Sequence, residues 1–473
     1  MEEATEIDAF DILKRDIGIL RDLQRMLISI FVCDENQHSN IAQLFHFFDE
    51  ISISENFSVY EGFLRLLIHI FSAFCCAKNH KNHLTIFLSI IKRLIIKHSL
   101  KQSFEQSTLF FIFQANKHFL LFLFEEGVID LSSIIQYIYL YDRDDLFLFF
   151  APEIRKYVPS KYQYFIELFR DDGRVISNLI SQSNEKKDME GQFPDEVDIE
   201  NLLEVRKEIH SNEKIARIIR EDDMDSFIKT FSEKDPVIID DYIYSSYLEN
   251  NRDVNDNKQG KYQLNFRKRV SFLEYSMAFG SINIFHYLWL HNAEYQENSL
   301  QYSIIGGNYE IIHILEEESK FAFNERHYYK SFDYYHKEIT EYLRNLIGIN
   351  QFAISTINMQ MRKSNGADFE FCYECLINQD ANNDTINKKG TKNEDKKLAI
   401  ENEGNVVPEN QPIYEILLHS IVSQPHLSFF VFYQYIFHSD IDINYQYGRR
   451  KVIINLFKRH HFIKHVEKDI MKL

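Results

Sequence analysis

Apolar and polar positions follow a helical period over most of the chain. Residues 1–33 place apolar side chains on one face of a long helix. Residues 59–77 and 83–97 have the pattern of an apolar helix pair around the polar turn at 78–82. Glycine and proline number only 14 and 7, which disfavours an all-β fold because such a fold needs frequent turns. The pattern therefore predicts an all-α protein.

One apolar pattern recurs between residues 271 and 343. Three copies carry an apolar anchor, a turn position and a second apolar pair at offsets of zero, seven, eleven and fifteen: Leu273, Gly280, Ile284 and Leu288; Leu300, Gly307, Ile311 and Leu315; and Tyr328, Tyr335, Ile339 and Leu343. The copies start 27 and 28 residues apart. A turn glycine can end a first helix in the left-handed conformation, and an apolar pair four apart shares one face of a second helix. This spacing predicts stacked helix–turn–helix units.

Weaker copies of the same pattern occur elsewhere. Leu109, Asn116, Leu120 and Phe124 have the same four offsets, and we interpret them as a degenerate repeat. Apolar character also resumes after residue 411 and continues to residue 448. The N-terminal region is therefore expected to be helical and degenerate in its repeats.

The repeated segments resemble ankyrin repeats. The resemblance is carried by Phe272-Leu273-Glu274-Tyr275-Ser276-Met277-Ala278-Phe279-Gly280 and by Gly307-Asn308-Tyr309-Glu310-Ile311-Ile312-His313-Ile314-Leu315. More narrowly, they resemble the divergent ankyrin-like family of unknown function that is expanded in trichomonad protists. The segment that precedes the repeats in that family is matched here by Ile218-Ile219-Arg220-Glu221-Asp222, followed by Phe227. The resemblance implies an α-solenoid of stacked ankyrin-like repeats.

Two departures from the ankyrin pattern accompany this resemblance. The usual Thr-Pro-Leu-His helix start is absent from all three copies, and Tyr335 stands in the place of the third turn glycine. Pro412-Ile413-Tyr414 resembles the missing helix start, and residues 436–444 resemble the end of an ankyrin unit. One degenerate terminal repeat is therefore expected at 412–448.

Pattern and composition together divide the chain into eight segments. These are a helical N-terminal region at 1–103, degenerate ankyrin-like repeats at 104–181, a polar linker at 182–200, the ankyrin-like repeat domain at 201–347, a poorly patterned stretch at 348–377, a disordered tether at 378–411, the terminal degenerate repeat at 412–448 and a basic C-terminal helix at 449–473.

Charge and cysteine content restrict the compartment and the partners. The formal net charge of −18 disfavours non-specific binding of the whole molecule to nucleic acid or to an anionic membrane. Five cysteines without a regular framework suit a reducing compartment. The acidic start Met1-Glu2-Glu3 predicts no signal or transit peptide, and the apolar runs at 66–77 and 109–124 are short or interrupted, so no membrane span is expected. The expected location is the cytoplasm, with the nucleus as the alternative.

Few residues in the sequence suggest catalysis or metal binding. The chain lacks the phosphate-binding loop, the dinucleotide fingerprint and the nucleophile elbow, so we expect no enzyme and no cofactor. Cys372 and Cys375 form a single CxxC, whereas a zinc site needs four ligands. His461 and His465 lie four apart in a basic segment, so they share a helical face. No metal is expected, although a metal site or metal-dependent activity using these cysteines and histidines is an alternative.

The favoured function is a protein-binding scaffold for an unidentified protein partner, with no small-molecule substrate. The ankyrin resemblance implies contacts from the inter-repeat loops and inner helix faces. The candidate partner-binding residues are Glu274, His291, Glu294, Tyr295, Gln301 and Phe321, with Glu274 and Gln301 expected to be exposed. Trp289, the single tryptophan, is expected to pack between repeats, and a binding hot spot is the alternative. An alternative is an electrostatic contact of residues 449–473, whose local net charge is +6, with nucleic acid or phosphoinositide.

Overall fold

The computed structural model describes residues 9–32, 36–76, 83–170, 199–232, 239–244, 246, 248–251, 253–254, 269–349, 368–374 and 377. Helices dominate these residues, which confirms the all-α expectation, and one short antiparallel strand pair accompanies them. Contacts divide the chain into two compact units. The first is Met1–Leu67 with Gly348–Leu473, and the second is Ile68–Ile347.

The described part of the first unit is built around its longest helix. It contains α1 (Ala9–Val32), α2 (Gln37–Glu50), a 3-10 turn (Ile53–Glu55) and the start of α3 (Phe57–Phe74). The buried side chains of α1 recur every three or four residues and form one apolar stripe: Leu13, Ile17, Leu20, Leu23, Leu27 and Ile30. α2 packs against α1, with Leu44 and Phe48 buried.

A segment far along the sequence completes this first unit. Residues 368–374, which the sequence pattern leaves unassigned, include a short helical stretch that packs on α1. The Gln24 carboxamide donates to Asp368 Oδ1 at 3.2 Å and accepts from the backbone N–H of Phe369 at 2.6 Å. The Arg21 guanidinium lies 3.9 Å from the centre of the Tyr373 ring. These polar contacts fix the segment on α1.

The first part of the second unit is a run of helices joined by short turns. After the end of α3 come α4 (His83–Lys97), α5 (Leu100–Ser103), α6 (Gln106–Phe113), α7 (Lys117–Glu125), α8 (Leu131–Tyr141), α9 (Asp144–Tyr157), α10 (Pro159–Arg170) and α11 (Ile199–Val205). Their core is rich in phenylalanine, with Phe71, Phe87 and Phe119 in mutual ring contact. Asn116 caps α7 by accepting from Phe119 N–H, and its φ is −126°. The α6–α7 turn therefore differs from the glycine turns of the repeat pattern.

Buried polar groups tie the start of α7 to the chain after α11. The His118 Nε2–H donates to the Arg206 carbonyl at 2.9 Å, and His118 Nδ1 lies 3.3 Å from the Asn250 side-chain nitrogen. Arg206 forms two hydrogen bonds with the Glu153 carboxylate on α9, at 2.7 and 2.6 Å. Burial lowers the pKa of His118 to about 4, so its ring is neutral at pH 7.

Four consecutive helix pairs form the rest of the second unit. They are α12 (Lys214–Arg220) with α13 (Met224–Ser232), α14 (Phe272–Ala278) with α15 (Ile282–Leu290), α16 (Gln301–Gly306) with α17 (Tyr309–Glu318), and α18 (Glu325–Asp333) with α19 (Lys337–Ile347). The first helices pack in the order α12, α14, α16, α18, and α13, α15 and α17 pack in a second row. Strands β1 (Tyr242–Tyr244) and β2 (Arg269–Ser271) pair antiparallel just before α14.

The turn inside each pair contains one residue in the left-handed conformation. These residues are Asp222, Gly280, Gly307 and Tyr335, with φ between 54° and 62°. Asp222, which the sequence pattern places in the segment before the repeats, is thus the turn residue of the first pair. Its carboxylate accepts from the backbone N–H of Ile284 at 3.0 Å and of Asn283 at 3.2 Å, and so caps α15 of the next pair. The first turn therefore helps to position the neighbouring pair.

Successive first helices approach most closely at Gly306, the last residue of α16. A Cβ added there would lie 2.0 Å from the Met277 carbonyl oxygen and 2.9 Å from the Gly280 nitrogen. Both are backbone atoms of α14 and its turn, so they cannot rotate away as a side chain would. The contact between α14 and α16 therefore requires a residue without a side chain at position 306.

We expect Gly306→Ala to lower the free energy of unfolding by about 3 kcal/mol or more, because the methyl group overpacks rigid backbone. The control is Gly127→Ala, where φ is +65° but no atom lies within 4 Å of an added Cβ. That change should cost only the left-handed penalty of roughly 1–2 kcal/mol. Urea unfolding followed by Trp289 fluorescence measures both. Equal losses in the two variants would contradict the close approach.

The depressed pKa of His118 predicts a loss of stability in acid. The unfolded chain, with a histidine pKa of about 6.5, binds more protons than the folded chain below that pH. Between pH 7 and pH 5, His118 should therefore lower the free energy of unfolding by about 2 kcal/mol. His118→Gln keeps an amide donor for the carbonyls and removes this contribution, so its stability profile should be flatter in urea titrations at each pH. Parallel profiles would refute this role of His118.

Candidate protein-interaction surface

Three aromatic side chains meet where the loops leave the second row of helices. Trp289 lies near the end of α15, Tyr295 lies in the loop 291–296 before a 3-10 turn (Glu297–Leu300), and Phe321 lies in the loop 319–324. The Trp289 and Tyr295 ring centroids are 5.1 Å apart, and those of Tyr295 and Phe321 are 5.8 Å apart at 89°. All three side chains are half-buried. We name Trp289, Tyr295 and Phe321 the loop-edge cluster.

Hydrogen bonds and stacking fix this cluster to the helix framework. The Trp289 ring stacks on buried Phe285, with centroids 5.6 Å apart and planes at 22°. Its indole N–H donates to Glu318 Oε2 at 2.7 Å, on the second helix of the next pair. The backbone N–H of Lys320 donates to the Tyr295 hydroxyl at 2.9 Å. The cluster is therefore held in place before any partner arrives, which reduces the entropy cost of binding.

The surroundings of the loop-edge cluster are acidic. Residues 270–319 contain seven glutamates and neither lysine nor arginine, and the next residue, Lys320, places its Nζ 5.7 Å from the Tyr295 ring centre. Glu294, Glu297 and Glu318 are exposed beside the cluster, and the Leu290 side chain at the end of α15 is 76% exposed. An apolar centre within a charged rim is the usual anatomy of a protein interface.

The structure separates the six predicted contact residues into two groups. Tyr295 and Phe321 touch each other, and His291 and Glu294 are exposed in the loop that carries Tyr295. Glu274, expected to be exposed, is half-buried. Its carboxylate accepts from Ser271 N–H at 3.0 Å and from the Ser299 hydroxyl at 2.7 Å, so it caps α14 and joins neighbouring pairs.

Gln301 is likewise half-buried, at the start of α16, rather than exposed. Trp289, expected between repeats, does bond the next pair through Glu318, but it also lies at the partly exposed edge. Sequence reasoning did not place Glu318 in the site, and it favoured packing between repeats for Trp289. A tryptophan four residues beyond buried Phe285, at the end of a short helix, was the available signal.

A buried group of cysteine, histidine and glutamate side chains offers another kind of chemistry in the second unit. His210 Nδ1 lies 2.7 Å from Glu249 Oε1, and His210 Nε2 lies 2.8 Å from the Cys75 carbonyl oxygen. The Cys76 thiol accepts from the Asn251 side chain at 3.2 Å. Burial raises the pKa of the Cys76 thiol well above its usual value, so it stays protonated and is a poor nucleophile. These hydrogen bonds join the residues that follow α3 to the segments that carry His210, Glu249 and Asn251.

Metal binding and the basic segment depend largely on residues outside those described. Among the described residues, no group of three or more His, Cys, Asp or Glu side chains could hold a metal ion. Cys372 is buried in the helical stretch after Asp368. Cys375, His461, His465 and the segments 378–411, 412–448 and 449–473 lie outside the described residues. The alternatives built on them stay predictions.

Comparison of the chain with family models, with curated proteins and with solved structures returns no match. Within the described residues, α3 is long and apolar enough to cross a membrane by length and composition. However, 78% of that stretch is buried inside the structure, as in the core helix of a globular protein, so it is weak evidence for a span.

The single tryptophan allows the loop-edge cluster to be tested by spectroscopy. Tyr295→Ala removes the ring next to Trp289, so the indole should become more exposed. We expect the fluorescence emission maximum to move to longer wavelength and acrylamide quenching to increase. Tyr309→Ala, a half-exposed tyrosine on α17 outside the cluster, is the matched control. Unchanged emission in Tyr295→Ala would show that the two rings are not packed in solution.

Proposed function

We propose that the chain is a protein-interaction scaffold. In this proposal, α12–α19 form an α-solenoid of ankyrin-like repeats that presents the loop-edge cluster to a protein partner. The observation that carries the proposal is a continuous, partly exposed aromatic cluster that is fixed to the framework through Phe285 and Glu318. Tryptophan and tyrosine in such positions are the side chains that contribute most to binding at protein interfaces.

The packing of the helix pairs supports the solenoid. Neighbouring pairs contact each other through both rows, and each pair turns at a left-handed residue. A single pair of such short helices cannot bury its apolar faces alone, so stability depends on stacking against neighbours. Stacking also exposes the loops of consecutive pairs along one edge, where a partner can contact several loops together.

The charges around the cluster support a partner with positive surface charge. Three exposed glutamates, Glu294, Glu297 and Glu318, belong to this rim, together with Lys320, whose Nζ lies 5.7 Å from the Tyr295 ring centre. Such a rim accelerates association with a basic surface and disfavours acidic partners. The aromatic centre then supplies the apolar contact that holds the complex together. A role without catalysis is also favoured by the absence of recognised catalytic motifs from the sequence.

The experiment begins with a pulldown by the full chain, which identifies a partner by mass spectrometry. The double variant Tyr295→Ala with Phe321→Ala should weaken the affinity for that partner by about tenfold or more, because two anchors are lost. Tyr309→Ala should leave the affinity unchanged. Titration of the labelled partner with each variant gives the dissociation constants.

Two results would contradict this assignment. Equal affinity of the double variant and the wild type would place the binding surface elsewhere. Loss of binding on deletion of residues 449–473, with the double variant still competent, would assign the contact to the basic segment and support the electrostatic alternative.

A further inference from the structure

Residues 368–374, which we name the docked segment, meet α1 through contacts that the proposed function does not use. The Arg25 guanidinium makes two hydrogen bonds to the Glu370 carboxylate, one of them 2.6 Å long between Nε and Oε2. The Gln24 carboxamide donates to the Asp368 carboxylate at 3.2 Å and accepts from the backbone N–H of the following residue at 2.6 Å. Both contacts are selective, because an unrelated side chain on either side would leave a polar group without its partner.

The aromatic end of the docked segment lies against a glycine of α1. A Cβ added at Gly18 would lie 3.3 Å from the Tyr373 ring, so a side chain at this position would push the ring outwards. The Arg21 guanidinium lies 3.9 Å from the centre of the same ring, which is a cation–π contact. Gly18, Arg21 and Arg25 are three and four residues apart, so they belong to one face of α1. This face and the adjacent Gln24 therefore fit the docked segment side chain by side chain.

The docked segment also has a local structure of its own. The Asp368 carboxylate accepts from the backbone N–H of Phe371 at 3.3 Å, and the Asp368 carbonyl accepts from that of Cys372 at 3.1 Å, so Asp368 begins one helical turn. The side chains of Phe369, Phe371 and Cys372 are buried. Apolar burial therefore stabilises docking, while the polar contacts select the sequence that docks.

Two features make this contact weak enough to open. The Arg25 side chain of the ion pair is 55% exposed, and exposed pairs contribute little free energy. Burial raises the pKa of the Asp368 carboxyl to about 6, and the charges of Glu370 and Glu374 add to this effect. A short segment that must bury such a carboxyl can open locally while α1 stays packed on α2.

Protonation of Asp368 couples docking to pH. The docked carboxyl keeps its proton up to about pH 6, whereas a solvated aspartate releases it at about pH 4. On α1, the neighbouring Asp22 carboxylate lies 2.8 Å from the Arg21 guanidinium and 3.8 Å from that of Arg25, so these charges offset one another. Docking is therefore strongest in acid and weakens as the pH rises, by about tenfold between pH 5 and pH 7.

We propose that the docked segment is a reversible latch, which this face of α1 recognises through its acidic and aromatic side chains and which detaches as the pH rises. Release uncovers the face of α1 from Gly18 to Arg25. It also frees the chain that follows the docked segment from this point of attachment. The latch belongs to the first unit and does not depend on the function proposed for the second.

The buried thiol of Cys372 reports whether the latch is open. Its reaction with a pyridyl disulfide is followed in the full chain by mass spectrometry and compared at each pH with that of a synthetic peptide of residues 366–377. The ratio of the two rates measures protection and removes the pH dependence of the thiol itself. We expect protection to fall about tenfold between pH 5 and pH 7. Asp368→Asn keeps the shape and cannot titrate, so its protection should be high at both pH values.

A charge swap tests the recognition. Arg25→Glu should lower protection about fivefold, and the double variant Arg25→Glu with Glu370→Arg should restore it. Circular dichroism checks at each pH that the helices stay folded. Equal protection at pH 5 and pH 7, the same fall in Asp368→Asn, or no rescue by the double variant would each overturn the latch. So would a loss of protection that coincides with loss of helix, because global unfolding would then expose Cys372.

Discussion

The close backbone approach of α16 to α14 at Gly306 is the constraint on which the arrangement of the helix pairs depends. Only a residue without a side chain permits the Met277 carbonyl to lie so near. This spacing lets Asn308 reach the Gly280 carbonyl at 3.2 Å, and lets Trp289 on one pair bond Glu318 on the next. The loops that carry Tyr295 and Phe321 then leave the framework close enough for their rings to touch. Backbone packing in the interior thus determines the geometry of the exposed edge.

The loop-edge cluster of the second unit is supported by the interior. Trp289 stacks on buried Phe285, and its indole N–H donates to Glu318 of the next pair. Glutamates are exposed around the cluster, and Lys320 lies over the Tyr295 ring. The positions of these side chains therefore depend on the packing of two neighbouring helix pairs.

Helical periodicity and turn glycines were sufficient to predict the helix content and the positions of α14–α19. They did not predict the features that depend on a single side chain or on a contact between residues far apart in the sequence. Asp222 makes a left-handed turn that glycine would usually make, so the helix pair at 214–232 did not show the repeat pattern. Residues 368–374 depend on Gln24, 344 positions away, which no local pattern reveals. Glu274 has the sequence context of an exposed helix residue, yet Ser271 and Ser299 engage its carboxylate. The aliphatic and aromatic residues of α8–α10 resemble core from sequence, and packing alone decides that six of them are exposed.

The most direct test of the scaffold account uses the single tryptophan as a fluorine label. The chain is produced with 5-fluorotryptophan, so that Trp289 gives one ¹⁹F resonance from the loop-edge cluster, and the partner recovered by pulldown is added without label. The account predicts a saturable shift or broadening of this resonance, with the same dissociation constant as the binding itself. Full binding of the partner, measured independently, with an unchanged Trp289 resonance would contradict it.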